Sequence, residues 1–520
     1  MPTALSGYFY FIRDGWRLPL FHVAGLGGAD GTNIIFTDSI PLLALLGRAL
    51  YRVAGLTVNP YGAWTAFCFV ASALSMTWLV ALLGQRSIAS AVIATVFGLC
   101  MPALLFRWGH LALMAQFEIV LALGFAVASK RHCRPLPHLI ASALLCLLAL
   151  WTNAYLFVMV SGIVGAAIGQ ALLDRSLCPR IGLGLITTLA AVILGAMLLS
   201  GYFSGKHSLS DMGFGLFSMN LLSPLAVQAS GIFTWRNGIL DATGGQYEGF
   251  AYLGLGILLL LFTAIPEISA HAVSAWKRYP ILVTVLAAFT AFALSNQIYV
   301  GAWPMPIIPL PEAVLKLAGV FRSSGRFIWP VLYGISAMTI VATARRSGRG
   351  TVLLLLAASV LQWFDTAPLR AAIATSAAAP ASLPLNADSW SPAIARHNFV
   401  RVLPSFGCLA IRATWDREVA MEVQFLSAVA GVPTNTVYTG RHQGDCVTEQ
   451  DVEPRIDARE MRIYLHGSEG FRQVRDKAGE AHCSITPDMA LCSELLDGAS
   501  RAVLLDARRA REEGEQLRPE

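Results

Sequence analysis

Charge is the scarcest commodity in this sequence. Only 13% of the 520 residues are charged, 55% are hydrophobic, and mean hydropathy is +0.59. A soluble domain carries about a quarter charged residues. The shortage is uneven, sparse through Asp365 and relieved afterwards. That pattern predicts a membrane-embedded body followed by a water-soluble tail. Other absences narrow the reading. No basic stretch is interleaved with aromatics, so nucleic acid is not an expected partner, and the net charge of +6 is assigned to membrane topology. No CxxC or Cys/His spacing of the zinc type occurs, so no metal centre is expected. The start, "MPTALSGYFYFIRDGW", is too polar and too aromatic for a signal peptide. No repeat of fixed period is present.

Long apolar runs dominate what is there. They fall at 62–83, 87–106, 111–129, 138–152, 153–173, 181–203, 249–265, 280–300, 327–344 and 351–364. A perpendicular helix needs roughly 20 residues to cross, so 138–152 and 351–364 are short, and 138–173 reads either as two helices or as one broken one. With about ten spans and an outside start, the inner loops hold eleven basic residues: Arg86, Lys130, Arg131, Arg134, Arg175, Arg180, Lys277, Arg278, Arg345, Arg346 and Arg349. The outer loops at 107–110, 204–248 and 301–326 hold six: Arg107, Lys206, Arg236, Lys316, Arg322 and Arg326. The positive-inside rule then places both termini outside the cytoplasm.

Five of the nine cysteines (Cys68, Cys100, Cys133, Cys146 and Cys178) lie in or beside apolar runs. The other four, Cys408, Cys446, Cys483 and Cys492, lie in the polar tail. An even number in an extracytoplasmic domain predicts two disulfides, in any of three connectivities; a cytosolic tail would keep four thiols. The tail opens with "AAIATSAAAPASLPLNADS", a linker composition. A strand is expected in "NFVRVLP", a helix in "DREVAMEVQFLSAVAG", and strands in "NTVYTG", "MRIYLH" and "AVLLDA". Alternating elements of this kind predict a small α/β domain, with a frayed charged end, "DARRAREEGEQLRPE".

The residues that carry chemistry sit at one predicted depth. Loop 204–248 offers Asn220 and Ser223 in "SMNLLSPL", then Gln246, Tyr247 and Glu248 in "GGQYEGFAYLGLG". Loop 301–326 ends in "GVFRSSGRFIWP", with Arg322 and Arg326. "RWGHLALMAQFEIV" places His110 at the outer end of a span and Glu118 two turns in. Arginines bind phosphate through paired donors, and a carboxylate can deprotonate a hydroxyl. Each has a plainer alternative. The arginines can snorkel, Glu248 can cap a helix, and Glu118 can pair with His110. "GLG" at 254–256 is read as close helix approach, and Trp303, Trp329 and Tyr333 as interface anchors. Asp38, in "NIIFTDSIPLLALLG", is both the expected N-cap of an amphipathic surface helix over 39–57 and the leading candidate for an active-site acid.

Together "FTDSIPLLALLG", "RWGHLALMAQFEIVLAL", "NLLSPL", "GQYEGFAYLGLG" and "FRSSGRFIWP" resemble a family of bacterial multipass membrane proteins related in architecture to the GT-C glycosyltransferases. The resemblance covers most of residues 16–365 and implies transfer of a sugar from a polyprenyl-phosphate carrier. The acceptor would be a glycan or lipid, outside the inner membrane. The catalytic residues would be Asp38 and Glu248, and His110, Asn220, Gln246, Tyr247, Arg322 and Arg326 would bind substrate. No cofactor is expected, with a divalent metal left open. Members usually have a first spanning helix, ending in acids, ahead of "TDSIP"; its absence here predicts that it lies upstream or has been lost. The expected organisation is an α-helical multipass bundle at 62–364, preceded by an extracytoplasmic loop at 1–61. A linker at 365–395 and a periplasmic α/β domain at 396–520 would follow. The competing expectations are a glycolipid flippase or transporter, and a non-catalytic scaffold of polysaccharide assembly. The lipid bilayer is a partner in all three.

Overall fold

The computed structural model describes the chain except residues 1, 29, 133, 205–212, 234–238, 347, 379–384, 411–412, 441–445, 447–456, 467, 477–481 and 507–520. Lys206, Arg236, Cys133 and most of the charged end therefore lie outside the described residues. Helices dominate. In chain order they are α1 (Pro2–Arg13), α2 (Pro41–Ala54), α3 (Tyr61–Leu82), α4 (Ile88–Leu99), α5 (Pro102–Leu105), α6 (Phe117–Arg131), α7 (Leu136–Thr152), α8 (Ala154–Leu173) and α9 (Pro179–Ser200). After a long loop come α10 (Leu255–Thr263), α11 (Ile265–Arg278), α12 (Pro280–Leu294), α13 (Glu312–Ala318), α14 (Trp329–Ala344) and α15 (Arg349–Asp365). The tail holds α16 (Ala367–Ala378), α17 (Ala387–Ile394), α18 (Thr414–Ala430) and α19 (Glu469–Asp476).

The contacts divide the chain into two units. One comprises Tyr61–Gly195 and Leu209–Ala378 and is a helical bundle. Six helices in the described chain are long and apolar enough to cross a membrane, or seven if the bent pair α15 and α16 is one span. Five of the six begin in this unit's first stretch, and the sixth runs Ser324–Ala344. This is fewer than ten, because α7 and α12 are shorter apolar helices. The run at 249–265 differs most. Its first residues are irregular, only α10 is helical, and nine residues rise about 14 Å, half a bilayer core. The run 138–173 is two helices. Asn153 turns extended at φ −163°, and its side-chain oxygen accepts the Tyr155 N–H at 2.9 Å, capping α8. "GLG" works as a close-approach motif. A Cβ on Gly256 would lie 2.2 Å from the Ala358 carbonyl of α15, and Gln362 fills the space over Gly254. Trp329 and Tyr333 are not interface anchors: both are buried, Tyr333 donating to Gln116 Oε1 at 2.9 Å, whereas Trp303 is exposed.

The other unit joins Met1–Pro60, Ala196–Ser208 and Ala379–Glu520. Its sheet has the order β5-β6-β8-β7, from β5 (Phe399–Leu403), β6 (Glu460–Leu465), β7 (Cys483–Ile485) and β8 (Met489–Cys492). The numbers β1 to β4 belong to two short hairpins, His22–Val23 with Thr32–Asn33 and Tyr299–Val300 with Trp303–Pro304. β5 and β6 are parallel, as a strand pair joined through helix α18 must be, and the other two pairings are antiparallel. Val400, Val402, Ile463, Leu465 and Leu491 of the sheet meet Val419, Val423 and Leu426 of α18 in one core. "AVLLDA" is helical rather than extended, "NTVYTG" forms no strand, and the linker composition of 367–378 is helical. Disulfides join Cys408 to Cys446 and Cys483 to Cys492, the latter across directly paired residues of β7 and β8.

The first 60 residues are built into this unit. α1 packs on α18 and α2. Arg13 Nη1 donates to the Ala428 and Val429 carbonyls at 2.6 and 3.0 Å, where α18 runs out of amide donors. Arg48, fully buried, turns its Nε and Nη2 to the Phe11 carbonyl at the end of α1 and stacks between Phe11 and Trp16. Asp38 is not the N-cap of α2. That helix starts after Ile40, which makes no side-chain cap, and Pro41 in its first turn presets the helical φ. Asp38 Oδ2 instead accepts from Thr3 Oγ1 of α1 at 3.3 Å.

Candidate functional site

Two short turns meet in the helical bundle, Gln246–Gly249 and Ser324–Ile328. Their approach depends on two glycines. A Cβ on Gly325 would stand 2.4 Å from Gly249 Cα and 3.0 Å from Met219 N; one on Gly249 would stand 2.4 Å from the Ser218 carbonyl. These are backbone atoms, so no larger residue fits without moving the chain. The motifs "GQYEGF" and "FRSSGRF" therefore touch through the residues with no side chain.

What that crossing presents is a carboxylate between two guanidiniums. Glu248 Oε2 accepts from Arg326 Nε at 3.0 Å and Nη2 at 2.8 Å, and from Arg107 Nη1 at 2.5 Å. Arg107 Nη2 also donates to the Tyr247 and Glu248 carbonyls at 3.1 and 2.9 Å. All three side chains are buried, with relative exposures of 2%, 6% and 8% for Arg107, Glu248 and Arg326. Aromatic faces hold the arginines flat: Arg107 lies near the rings of Phe106 and Trp329, and Arg326 lies 4.6 Å from the Tyr155 ring centre. Arg322 lies half-buried beside Phe217, whose ring meets that of Tyr247 edge-on.

The electrostatics follow from that geometry. Burial works to raise the Glu248 carboxyl, but Arg326, Arg107 and then His110 outweigh it and hold the group at about 2. Burial lowers Arg107 to about 10, opposed by Glu248 and reinforced by Arg326. Tyr247 is raised, first by burial and then by Glu248. At neutral pH the trio carries two positive charges and one negative, and Arg322 adds a further positive charge beside it. A carboxylate held at about 2 is a poor proton acceptor. Glu248 instead fixes two guanidiniums, and the surplus charge suits an anion.

The other sequence-named residues divide. His110 lies close enough to act on Glu248, so it belongs to the cluster. Asn220 and Gln246 are buried and serve the chain. Asn220 Nδ2 donates to Gln246 Oε1 at 3.1 Å and to the Gly301 carbonyl at 2.8 Å, while its Oδ1 takes the Gly301 and Leu222 amides. They tie loop 204–248 to loop 301–326 beneath the arginines. Asp38 belongs to the other unit. Two residues escaped the sequence reading. Arg107 was counted only as an outer-loop charge, although a lone guanidinium between two apolar runs is itself a signal that a partner exists. Asp241 accepts the amides of Thr243, Gly244 and Gln246 at 2.8 to 3.0 Å and so shapes the turn that carries Glu248. Burial works to raise its carboxyl, but those backbone bonds prevail and lower it.

Residues 1–367 match the model of the family described as Domain of unknown function (DUF6311), and the chain belongs to that family. No curated protein and no solved structure matches.

Proposed function

We propose that this family member is a GT-C-like membrane glycosyltransferase, moving a sugar from a polyprenyl-phosphate donor to an envelope glycan or lipid acceptor at the periplasmic face of the bacterial inner membrane. The observation that carries the reading is the pair of buried guanidiniums, Arg107 and Arg326, that share the Glu248 carboxylate. A donor phosphate is an anion of the kind that guanidinium forks are suited to bind. The acceptor hydroxyl oxygen then attacks the anomeric carbon, the carbon–oxygen bond to phosphate breaks, and the lipid phosphate leaves. The arginines stabilise the charge that grows on the leaving phosphate. The hydroxyl proton passes to bulk water; Glu248, ion-paired twice, is assigned to positioning.

Topology supports the reading. Residues 1–60 and 379–520 share one unit, so the chain crosses the bilayer an even number of times between them. The loop charges orient the bundle with the tail outside.

The test uses the full chain in lipid nanodiscs with polyprenyl phosphate as the probe. Arg322→Lys and Arg326→Lys keep charge but lose the fork, and binding is expected to weaken about tenfold. Unchanged binding in both Arg→Ala variants overturns the phosphate site.

A further inference from the structure

A second acid lies deeper in the bundle, in different company. Glu118 opens α6 and is fully buried. Its Oε1 accepts from Thr152 Oγ1 at 2.9 Å, and among the described residues its Oε2 has no hydrogen-bond partner. It is not the partner of His110 in any ion pair among the described residues; His110 acts on Glu248. The four helices that pack most extensively on α6 are α3, α7, α8 and α14. None of the four contains an Asp, Glu, Lys or Arg. The ionisable groups they offer are weak ones: Tyr61 and Cys68 of α3, His138 and Cys146 of α7, Tyr155 of α8 and Tyr333 of α14. On α6 itself the cations are Lys130 and Arg131, twelve and thirteen residues on and so about 18 Å along the axis. Arg107, the nearest guanidinium before Glu118 in the chain, is bound to Glu248.

An ionised Glu118 would thus be a buried charge with one hydrogen bond and no counter-charge. The cost of such a charge is several kcal/mol. The start of a helix favours an anion by at most about 2 kcal/mol. Here even that is blunted, because the Glu118 and Ile119 amides already donate to the Ala115 and Gln116 carbonyls at 3.0 Å each. Desolvation wins. We propose that Glu118 is a proton-binding site, a neutral carboxylic acid in the closed bundle, hydrogen-bonded to the Thr152 hydroxyl, which also lies 2.9 Å from the Leu148 carbonyl. It ionises only when water or a cation reaches it, so it can take up or release one proton as the bundle opens.

The infrared spectrum of the full chain in nanodiscs tests this without donor or acceptor, and independently of sugar transfer. A carboxylic-acid carbonyl band is expected in the native protein and absent from Glu118→Gln. Thr152→Val is expected to keep the band and to shift it, because the acid loses its hydrogen bond. If Glu118→Gln loses carboxylate intensity and leaves the acid region unchanged, the proposal is overturned. Should Glu118→Gln not fold, an unshifted acid region in Thr152→Val overturns it equally.

Discussion

Glu248 and Arg107 show how much one buried ion pair can be asked to do. Removing one partner of such a pair leaves the other charged and dry, at about 3–5 kcal/mol. Arg107→Ala is therefore expected to lower thermal stability in detergent by about that amount. Melting like the native protein would mean that Arg107 is dispensable to the fold. The acid limb gives a second readout. Glu248 is held at about 2, below its ordinary value, so its ionised form is favoured in the folded state. That stabilisation is complete above the ordinary carboxyl range and is lost as pH falls from about 4.5 through about 2. Arg107→Ala should flatten the loss in that window, which a melting series across it would reveal. Most of the cluster was legible in the sequence as polar residues at loop ends. The pairing was not. Arg107 and Glu248 are 141 residues apart, Glu248 and Arg326 are 78 apart, and nothing local records which cation a carboxylate will meet.

Among the elements, the informative contrast is between glycines that touch backbone and those that touch nothing. Gly325→Ala places a methyl against the backbone of Gly249 and Met219. Overpacking of this kind costs about 1–3 kcal/mol. Because the same contact sets Glu248 against Arg326, polyprenyl phosphate binding should fall with stability. Gly334→Ala in α14 meets nothing within 4 Å and is the matched control, expected to accumulate at least as well as the native chain. Equal melting temperatures for the two variants would dismiss the crossing as a determinant. Element type was readable wherever the apolar period was long: α3, α6, α8 and α9 lie close to the predicted runs. It failed at 249–265, where hydropathy is high but Gly254 adopts φ +89° and Asp365 accepts the Leu255 amide at 2.9 Å, delaying the helix. It failed again at α2, where a proline set the helix start and the acid three residues earlier turned to α1.

For the whole molecule, the cysteines give the sharpest test. Two disulfides account for four of nine, so reduction of the denatured protein should expose four further reactive thiols. Nine before reduction would remove both bridges. Reporters fused at residue 1 and after Glu520 are expected on the same side of the membrane, since both ends enter one unit; opposite sides would contradict an even number of crossings. The sequence predicts a small α/β domain in the tail, and two of its four expected strands, together with α18, sit nearly where expected. The contribution of the first 60 residues was hidden, because "YFYFIRDGW" looks like a loop rich in aromatics until α18 supplies the surface it covers. No residue pattern near the start announces a partner more than 400 positions later.

That distance sets a schedule for biogenesis. Arg13 caps a helix whose last residues lie 415 positions downstream. At about 5–20 residues per second, a ribosome needs roughly 20–80 seconds to deliver them. During that interval Phe9, whose ring meets that of Phe425, and Arg13 have no α18 to pack on. The nascent amino terminus thus emerges as an adhesive aromatic segment and stays so until translation is almost complete. A chain that stops at residue 367 contains every residue of the family match, yet its α1 has only α2 to pack on and lacks the helix that covers its other face. Such a product is expected to be held by chaperones or cleared by proteases.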